Sequence, residues 1–243
     1  MKYCEVKKGI FIKREKRFIG YVDVDGEVQT VHVKQTGRCE ELLIPGVTVF
    51  IERASNPNRK TKFNLISVVK PNGRLINIDS QVPNKVFFEA LQNGLELPGF
   101  PRPYLITAES TYGDSRLDFK LESSINDEVD RNKKRTAYIE VKGATLEENG
   151  IVMFPDAPTI RGLKHVNELV LAKEAGYESY IVFIIQMNDI KYFTPNMRTH
   201  PEFGYALKIA AEKGVHILAF DSHITKDSIM MGDPIPVNLD PVK

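Results

Sequence analysis

The sequence predicts a two-domain α+β protein, with a small β-barrel over residues 1–80 and a mixed-sheet α/β domain over residues 81–243. Three observations carry that expectation. Residues 1–80 break into short alternating segments separated by turn signals, as strands of a small all-β unit do. From residue 81 onward the apolar spacing reads helix, three strands, helix, strand, helix, strand, an order that suits a mixed sheet covered by helices. The charge also divides at the same place. Residues 1–80 carry 15 Lys/Arg against 9 Asp/Glu and residues 81–243 carry 18 against 23, so the net +1 conceals a basic module and an acidic one.

In the first module, Gly9–Ile12 opens a strand that runs into Lys13, Arg14, Lys16 and Arg17, and Phe18–Val24 is the next. Asp25-Gly26 is a strong two-residue hairpin signal, and Val28–Val33 alternates as the returning strand. Gly37–Leu43 is short enough for a single helical turn, halted by Pro45-Gly46. Val47–Glu52 and Lys62–Val69 are strands around the turn Ser55–Asn58, and Pro71-Asn72-Gly73 turns into Leu75–Ile78. Five short strands with a helical turn after the third match a Greek-key barrel of the OB type. Such barrels grip single strands with a basic groove and aromatic platforms. The candidates are Lys13, Arg14, Arg17, Arg38, Arg53, Arg59, Lys60 and Lys62, with Phe18, Tyr21 and Phe63 for stacking. Most aromatics of so small a barrel are expected in its core instead. His32 reads as an ordinary strand residue.

In the second module, Lys85–Asn93 has one apolar helical face (Val86, Phe87, Ala90, Leu91) and Gly94 as its stop. The stiff connector Pro98–Pro103 leads to a strand, Tyr104–Ser110. A turn at 111–114 enters SRLDFKLESS, and the chain returns as TAYIEVKGAT across a charged insert, Ser123–Arg135, that reads as an extended mobile loop with Arg131, Lys133, Lys134 and Arg135. After Ile151–Phe154, Thr159 is placed to cap a helix carrying Ile160, Leu163, Val166 and Val170, with Gly176 as its stop. The apolar run Tyr180–Gln186 fits a strand buried on both faces. A helix from Pro201 to Gly214 and a strand Val215–Phe220 follow.

Composition bounds the function. Hydrophobic content of 42% and charged content of 27% describe a globular protein. There is no apolar run of membrane-spanning length and no secretory h-region, so a cytoplasmic protein without membrane contact is expected. Cys4 and Cys39 lack metal-ligand spacing and are expected as free buried thiols. Phosphate-binding glycine loops, dinucleotide fingerprints and serine nucleophile elbows do not occur.

The pattern that carries chemistry is Asp118 with Glu140-Val141-Lys142. Strict alternation puts Arg116, Asp118 and Lys120 on one face of their strand, and Tyr138, Glu140 and Lys142 on one face of the next. If the two strands pair, two carboxylates meet beside an ammonium. Oxygen donors of this kind suit Mg²⁺ or Mn²⁺, held by Asp118, Glu140 and the Val141 carbonyl. Lys142 is then placed to hold a phosphate or a water, which is the equipment of metal-assisted phosphodiester hydrolysis. The same residues also describe a half-exposed strand with a cross-strand ion pair. On the following helix, Arg161 and His165 stand one turn apart, with Glu168 beyond.

Helix, three strands bearing Asp and Glu-x-Lys, helix, strand is the order of the PD-(D/E)XK (restriction-endonuclease-like) nucleases, although Leu117 stands where their proline precedes the aspartate. Several separated stretches add a narrower resemblance: TGRCEELLIPG (36–46), NPNRKTKFNL (56–65), IDSQVPN (78–84), ESTYGDSRLDF (109–119), YIEVKGATL (138–146), FPDAPTIRGLKH (154–165) and HPEFGYAL (200–207). Together they resemble the sugar fermentation stimulation protein A (SfsA) family across nearly the whole chain. That resemblance implies a DNA-binding regulator of sugar catabolism with an N-terminal OB domain and a nuclease-like C-terminal domain. It places Asp118, Glu140 and Lys142 at the nuclease positions and adds Glu109 and Asp156 as acidic candidates; Arg161 and His165 are accessory candidates from their helical spacing alone, Arg161 to meet an anionic substrate and His165 otherwise an ordinary surface residue. Cys39-Glu40 and His200 depart from the pattern, and the 123–135 insert is long for it.

The expectation is a nucleic-acid-binding protein, with DNA favoured over RNA and a homodimer allowed, bearing a divalent-metal phosphodiesterase site. The alternative is a non-cleaving DNA-binding regulator of sugar (maltose-type) catabolic genes, although no helix-turn-helix recognition helix is evident.

Overall fold

The computed structural model describes residues 1–240 except 36, 38, 57 and 125–133. In its first part, β1 (Val6–Glu15), β2 (Ile19–Val24), β3 (Glu27–Val33), β4 (Thr48–Arg53) and β5 (Phe63–Val69) run in the order β3-β2-β1-β4-β5. A parallel β3–β5 pairing closes the sheet into a barrel, and the short β6 (Leu75–Asn77) lies along β5. Asp25 and Gly26 both take positive φ (55° and 85°), the geometry of a tight hairpin turn. At Gly9 the strands approach so closely that a Cβ would lie 2.4 Å from Val22 Cγ1, so only glycine fits. The expected helical turn is present: the N–H groups of Leu42 and Leu43 donate to the Cys39 carbonyl. Its residues Cys39, Leu42 and Leu43 are buried against Val31, Val33, Leu65 and their neighbours.

The second part contains α1 (Val82–Gln92), β7 (Tyr104–Tyr112), β8 (Ser115–Ser124), β9 (Lys134–Ala144), β10 (Leu146–Glu148), β11 (Ile151–Phe154), α2 (Ile160–Glu174), β12 (Glu178–Ile185), β13 (Tyr192–Pro195), α3 (Pro201–Glu212), β14 (His216–Ile224) and β15 (Ile229–Pro234). The main sheet runs β15-β14-β12-β9-β8-β7 and is mixed: β9, β12 and β14 are parallel, and the outer pairs are antiparallel. Val86 and Phe87 of α1 pack on Phe119, Ile139 and Val182 on one face. Val166 and Leu169 of α2, with Phe203 and Leu207 of α3, pack with Tyr138, Ile181 and Phe183 on the other. β12 is therefore buried on both faces, which is why it reads as an unbroken apolar run. Thr159 caps α2, its Oγ1 accepting from Gly162 N at 3.0 Å.

Some expectations are corrected. α1 begins three residues early, because Pro83 sits in the first turn, where its missing N–H costs nothing. A small third sheet, β10-β11-β13, joins segments too short for periodicity to show. Cys4 is exposed; only Cys39 is buried, and burial pushes its thiol up to about 12. Tyr3 packs in the core under α1, so the first residues of the chain contribute to the second hydrophobic core rather than the barrel's. No helix among the described residues is long and apolar enough to cross a membrane.

Buried polar groups bind the two parts together. Gln186 Nε2, at the end of β12, donates to Asn77 Oδ1 (2.8 Å) and to the Asp79 carbonyl (3.1 Å). Lys34 Nζ meets Asp79 Oδ2 at 2.9 Å. Glu147 of β10 receives Lys70 at 2.6 Å and Arg74 at 3.0 Å, both from the barrel side. Burial acts to raise the Glu147 pKa, but Lys70, the Gly150 N–H and Arg74 outweigh it and hold the carboxyl below its ordinary 4.5. A depressed carboxylate stabilises the fold above its unfolded pKa and loses that contribution as pH falls through the folded value. Glu147→Gln should therefore cost about 2 kcal/mol at neutral pH, since two half-buried cations lose their buried counter-charge. In urea denaturation from pH 7 down to about pH 4, the gap between variant and parent should narrow at the acid end.

Candidate functional site

The site forms where two strands part. β8 and β9 pair in register from Ser124↔Lys134 to Phe119↔Ile139, and the ladder stops there. β9 continues along β12 to Ala144, while β8 diverges toward its own start. Past the last pair, the Val141 N–H donates to Asp118 Oδ2 at 2.8 Å. A side-chain carboxylate takes the place of the missing strand partner. Its other oxygen, Oδ1, accepts from Asn84 Nδ2 of α1 at 2.7 Å.

The alternation expected of β8 breaks at this residue. Leu117 belongs to the core that contains α2, whereas Phe119 and Leu121 belong to the core under α1. Across the hairpin, Ala108↔Phe119 and Ser110↔Leu117 pair, but Glu109, between them, has φ +55°. Arg116, expected beside Asp118, is exposed and pairs with Glu109 at 2.8 Å. Glu109 is thereby held at the surface, and Asp118 lies in the fork rather than flat on one sheet face.

Glu140 and Lys142 lie on the α2 side, as alternation requires. Glu140 Oε1 accepts from Lys142 Nζ and meets His165 Nδ1. Arg161 Nε donates to His165 Nε2 at 3.4 Å, so the imidazole carries its proton on Nδ1, toward Glu140. Glu140 is 3% exposed, and its second oxygen, Oε2, is buried with no hydrogen-bond partner among the described residues. Burial acts to raise its pKa, but His165 and Lys142 prevail and hold it below the usual 4.5. Asp118 shifts the other way, raised first by burial and then by the charge of Glu140. The two carboxylates are thus close enough to oppose each other's ionisation, with Lys142 partly relieving Asp118. Glu168 is also buried, with Oε2 unpartnered and Lys164 3.7 Å from Oε1. No three His, Cys, Asp or Glu side chains are grouped to hold a metal among the described residues, because Asp118 and Glu140 are turned to protein partners.

The other predicted residues divide. Asp156 and Arg161 line a cleft of about 500 Å³ between the barrel and the α/β domain, with Arg17 on the barrel wall. Arg14 is spent on structure, donating to the carbonyls of Gly37 (3.0 Å) and Gln35 (2.9 Å). Arg53 pairs with Glu5 at 3.4 Å, and Arg59 donates to Asn64 Oδ1 at 3.0 Å. Lys60 and Lys62 are exposed. Arg53 and its neighbours stand at the start of β1 and Arg14 at its end, roughly 30 Å apart for a strand of this length, so the basic residues form no single patch. Phe63 is barrel core, whereas Phe18 is 40% exposed beneath the Arg17 guanidinium. Arg38 and the insert residues Arg131 and Lys133 lie outside the described residues. Sequence reasoning passed over Asn84. It stands in the first turn of α1, where an Asn next to a Pro reads as a helix-start signal, and only the packing of α1 on the fork shows its carboxylate partner.

Two family models match the chain. One, described as the SfsA N-terminal OB domain, covers residues 12–78, and the other, the sugar fermentation stimulation protein RE domain, covers residues 81–228. The chain belongs to the sugar fermentation stimulation protein (SfsA) family. A homolog from Desulfitobacterium hafniense strain Y51 is 53% identical over 98% of this chain and 99% of its own length. One from Clostridium beijerinckii is 50% identical over 98% and 100%. SfsA of Pyrococcus furiosus, solved in complex with Ca²⁺, superposes with a TM-score of 0.83 at 28% identity over 98% of both chains. The OB barrel and mixed-sheet domain are thus the architecture of an SfsA structure.

His165 is the main support of the SfsA glutamate on the α2 side. His165→Ala should destabilise the fold by about 2 kcal/mol in chemical denaturation, because a buried carboxylate oxygen loses a charge-assisted donor.

Proposed function

We propose that this SfsA protein binds nucleic acid and hydrolyses phosphodiesters with a divalent metal. The observation that carries the reading is the fork: Asp118, Glu140 and Lys142 converge at the one place where the sheet opens between β8 and β9. A half-buried carboxylate raised by burial and then by its neighbour's charge, beside a buried one with an unpartnered oxygen, is a donor set suited to a hard cation. The Ca²⁺ held by the Pyrococcus furiosus relative is a cation of that kind.

Asp118 and Glu140, with the Val141 carbonyl, would hold Mg²⁺ or Mn²⁺. Such an ion supplies Lewis acidity, neutralising phosphate charge and making a bound water acidic. Asn84 keeps the Asp118 carboxylate aimed into the fork, and His165 does the same for Glu140. Lys142, beside Glu140, presents its ammonium to the phosphate or the attacking water and stabilises charge as it develops. Arg161, exposed on the first turn of α2, offers a guanidinium to a neighbouring phosphate.

A second reading, binding without cleavage in regulation of sugar catabolism, draws on the same geometry. Asp118 and Glu140 are occupied by Asn84, Val141, Lys142 and His165, and this arrangement also serves as a plain buried network.

The deciding experiment incubates purified protein with Mg²⁺ or Mn²⁺ and end-labelled single- and double-stranded DNA and RNA. Hydrolysis is expected, falling at least about 100-fold in Glu140→Ala and in Lys142→Ala. Salt-dependent binding with no cleavage under either metal would favour the regulator.

A further inference from the structure

The cleft between the barrel and the α/β domain has walls that are chemically matched. We propose that it is the channel for a single-stranded nucleic-acid segment, which excludes duplexes from the hydrolytic site; this rests on the nucleic-acid reading above and names its substrate class.

The barrel supplies one wall with Arg17 and Gln35, and the α/β domain supplies the other with Thr159, Arg161 and Thr145. Among the described residues, each wall carries one arginine. Arg161 spends only Nε on His165, so Nη1 and Nη2 have no partner among the described residues. Through His165 the same guanidinium is linked to Glu140, which puts a phosphate bound by Arg161 next to the fork. Phe18 lies beneath the Arg17 guanidinium and is 40% exposed, an aromatic residue next to the arginine of the barrel wall.

Width selects the strand. The two walls come closest to one another at Gly37 and Asp156, where a Cβ on Gly37 would lie 2.0 Å from Asp156 Oδ2. The remaining space of about 500 Å³ falls in the range that takes a nucleotide-sized group and not a double helix. Asp156 is the one carboxylate among the described residues of the cleft lining, and it lies beside Gly37. The seam that sets the width is fixed by buried Glu147 with half-buried Lys70 and Arg74, and by buried Gln186 with buried Asn77, so the walls do not separate easily to admit a duplex.

The test is binding alone, measured in EDTA by fluorescence anisotropy of a labelled mixed-sequence DNA oligomer, single-stranded or annealed to its complement. Because no metal is present, failure of hydrolysis leaves the result untouched. The full-length protein should bind the single strand at least about tenfold tighter than the duplex. Ala157→Trp, which fills the cleft without changing charge, should weaken single-strand binding at least about tenfold and leave duplex binding as it was. Arg17→Ala combined with Arg161→Ala should reduce the slope of log affinity against log salt by about 1.4, the effect of two lost single-strand phosphate contacts. Equal or tighter duplex binding, or an arginine double variant with an unchanged salt slope, would overturn the proposal. So would Ala157→Trp binding single strands normally while folded by circular dichroism.

Discussion

The hydrogen bond from the Val141 N–H to the Asp118 carboxylate is the contact on which the site depends. A buried N–H at a strand that has lost its neighbour would be costly unless something replaced the neighbour. Asp118 replaces it. That substitution lets β8 leave β9 after Phe119↔Ile139 without orphaning a donor in the middle of the sheet. The divergence then makes room for charged groups in what would otherwise be continuous sheet. Asn84 from α1 and His165 from α2 reach the fork from opposite faces and fix its two carboxylates.

This arrangement sets stability against function. Asp118 is raised by burial and by Glu140, which means that the folded state carries an unfavourable repulsion at neutral pH. Such strain is tolerable because the surrounding elements are over-determined. β9 is paired to β12 along eight consecutive residues, Ala137–Ala144, and β12 is buried on both faces. A rigid parallel pair holds Glu140 and Lys142 in place whatever the state of Asp118. The cost is local, and it falls where opposite charge from a cation or a phosphate neighbourhood would be most strongly felt.

The barrel acts less as a separate gripping module than as one wall of a shared structure. Its Arg14 guanidinium is consumed in holding the chain after β3, and its basic residues are divided between the two ends of β1. What it offers the α/β domain is a fixed surface, locked by Glu147, Gln186 and Asp79. Charge counts along the chain point to a polyanion-binding half. The packing shows that only a few of those charges face the cleft.

Local physics settled much of this protein from sequence alone. Asp25-Gly26 requires positive φ at both positions and turns the hairpin; Thr159 caps α2; the apolar run of β12 demands cover on both faces; Asp118 and Glu140-Val141-Lys142 stand on neighbouring strands. These are short-range or compositional constraints, and each is complete within a few residues. Other features were decided by tertiary structure. That Asn84 rather than another carboxylate meets Asp118, that β8 changes layers at that residue, that Glu109 is drawn to the surface by Arg116, and that Arg17 and Arg161 line one cleft all depend on distant segments meeting. Strand alternation has no means of registering a fork, because the period of two assumes a neighbour on each side, and here the neighbour is a side chain.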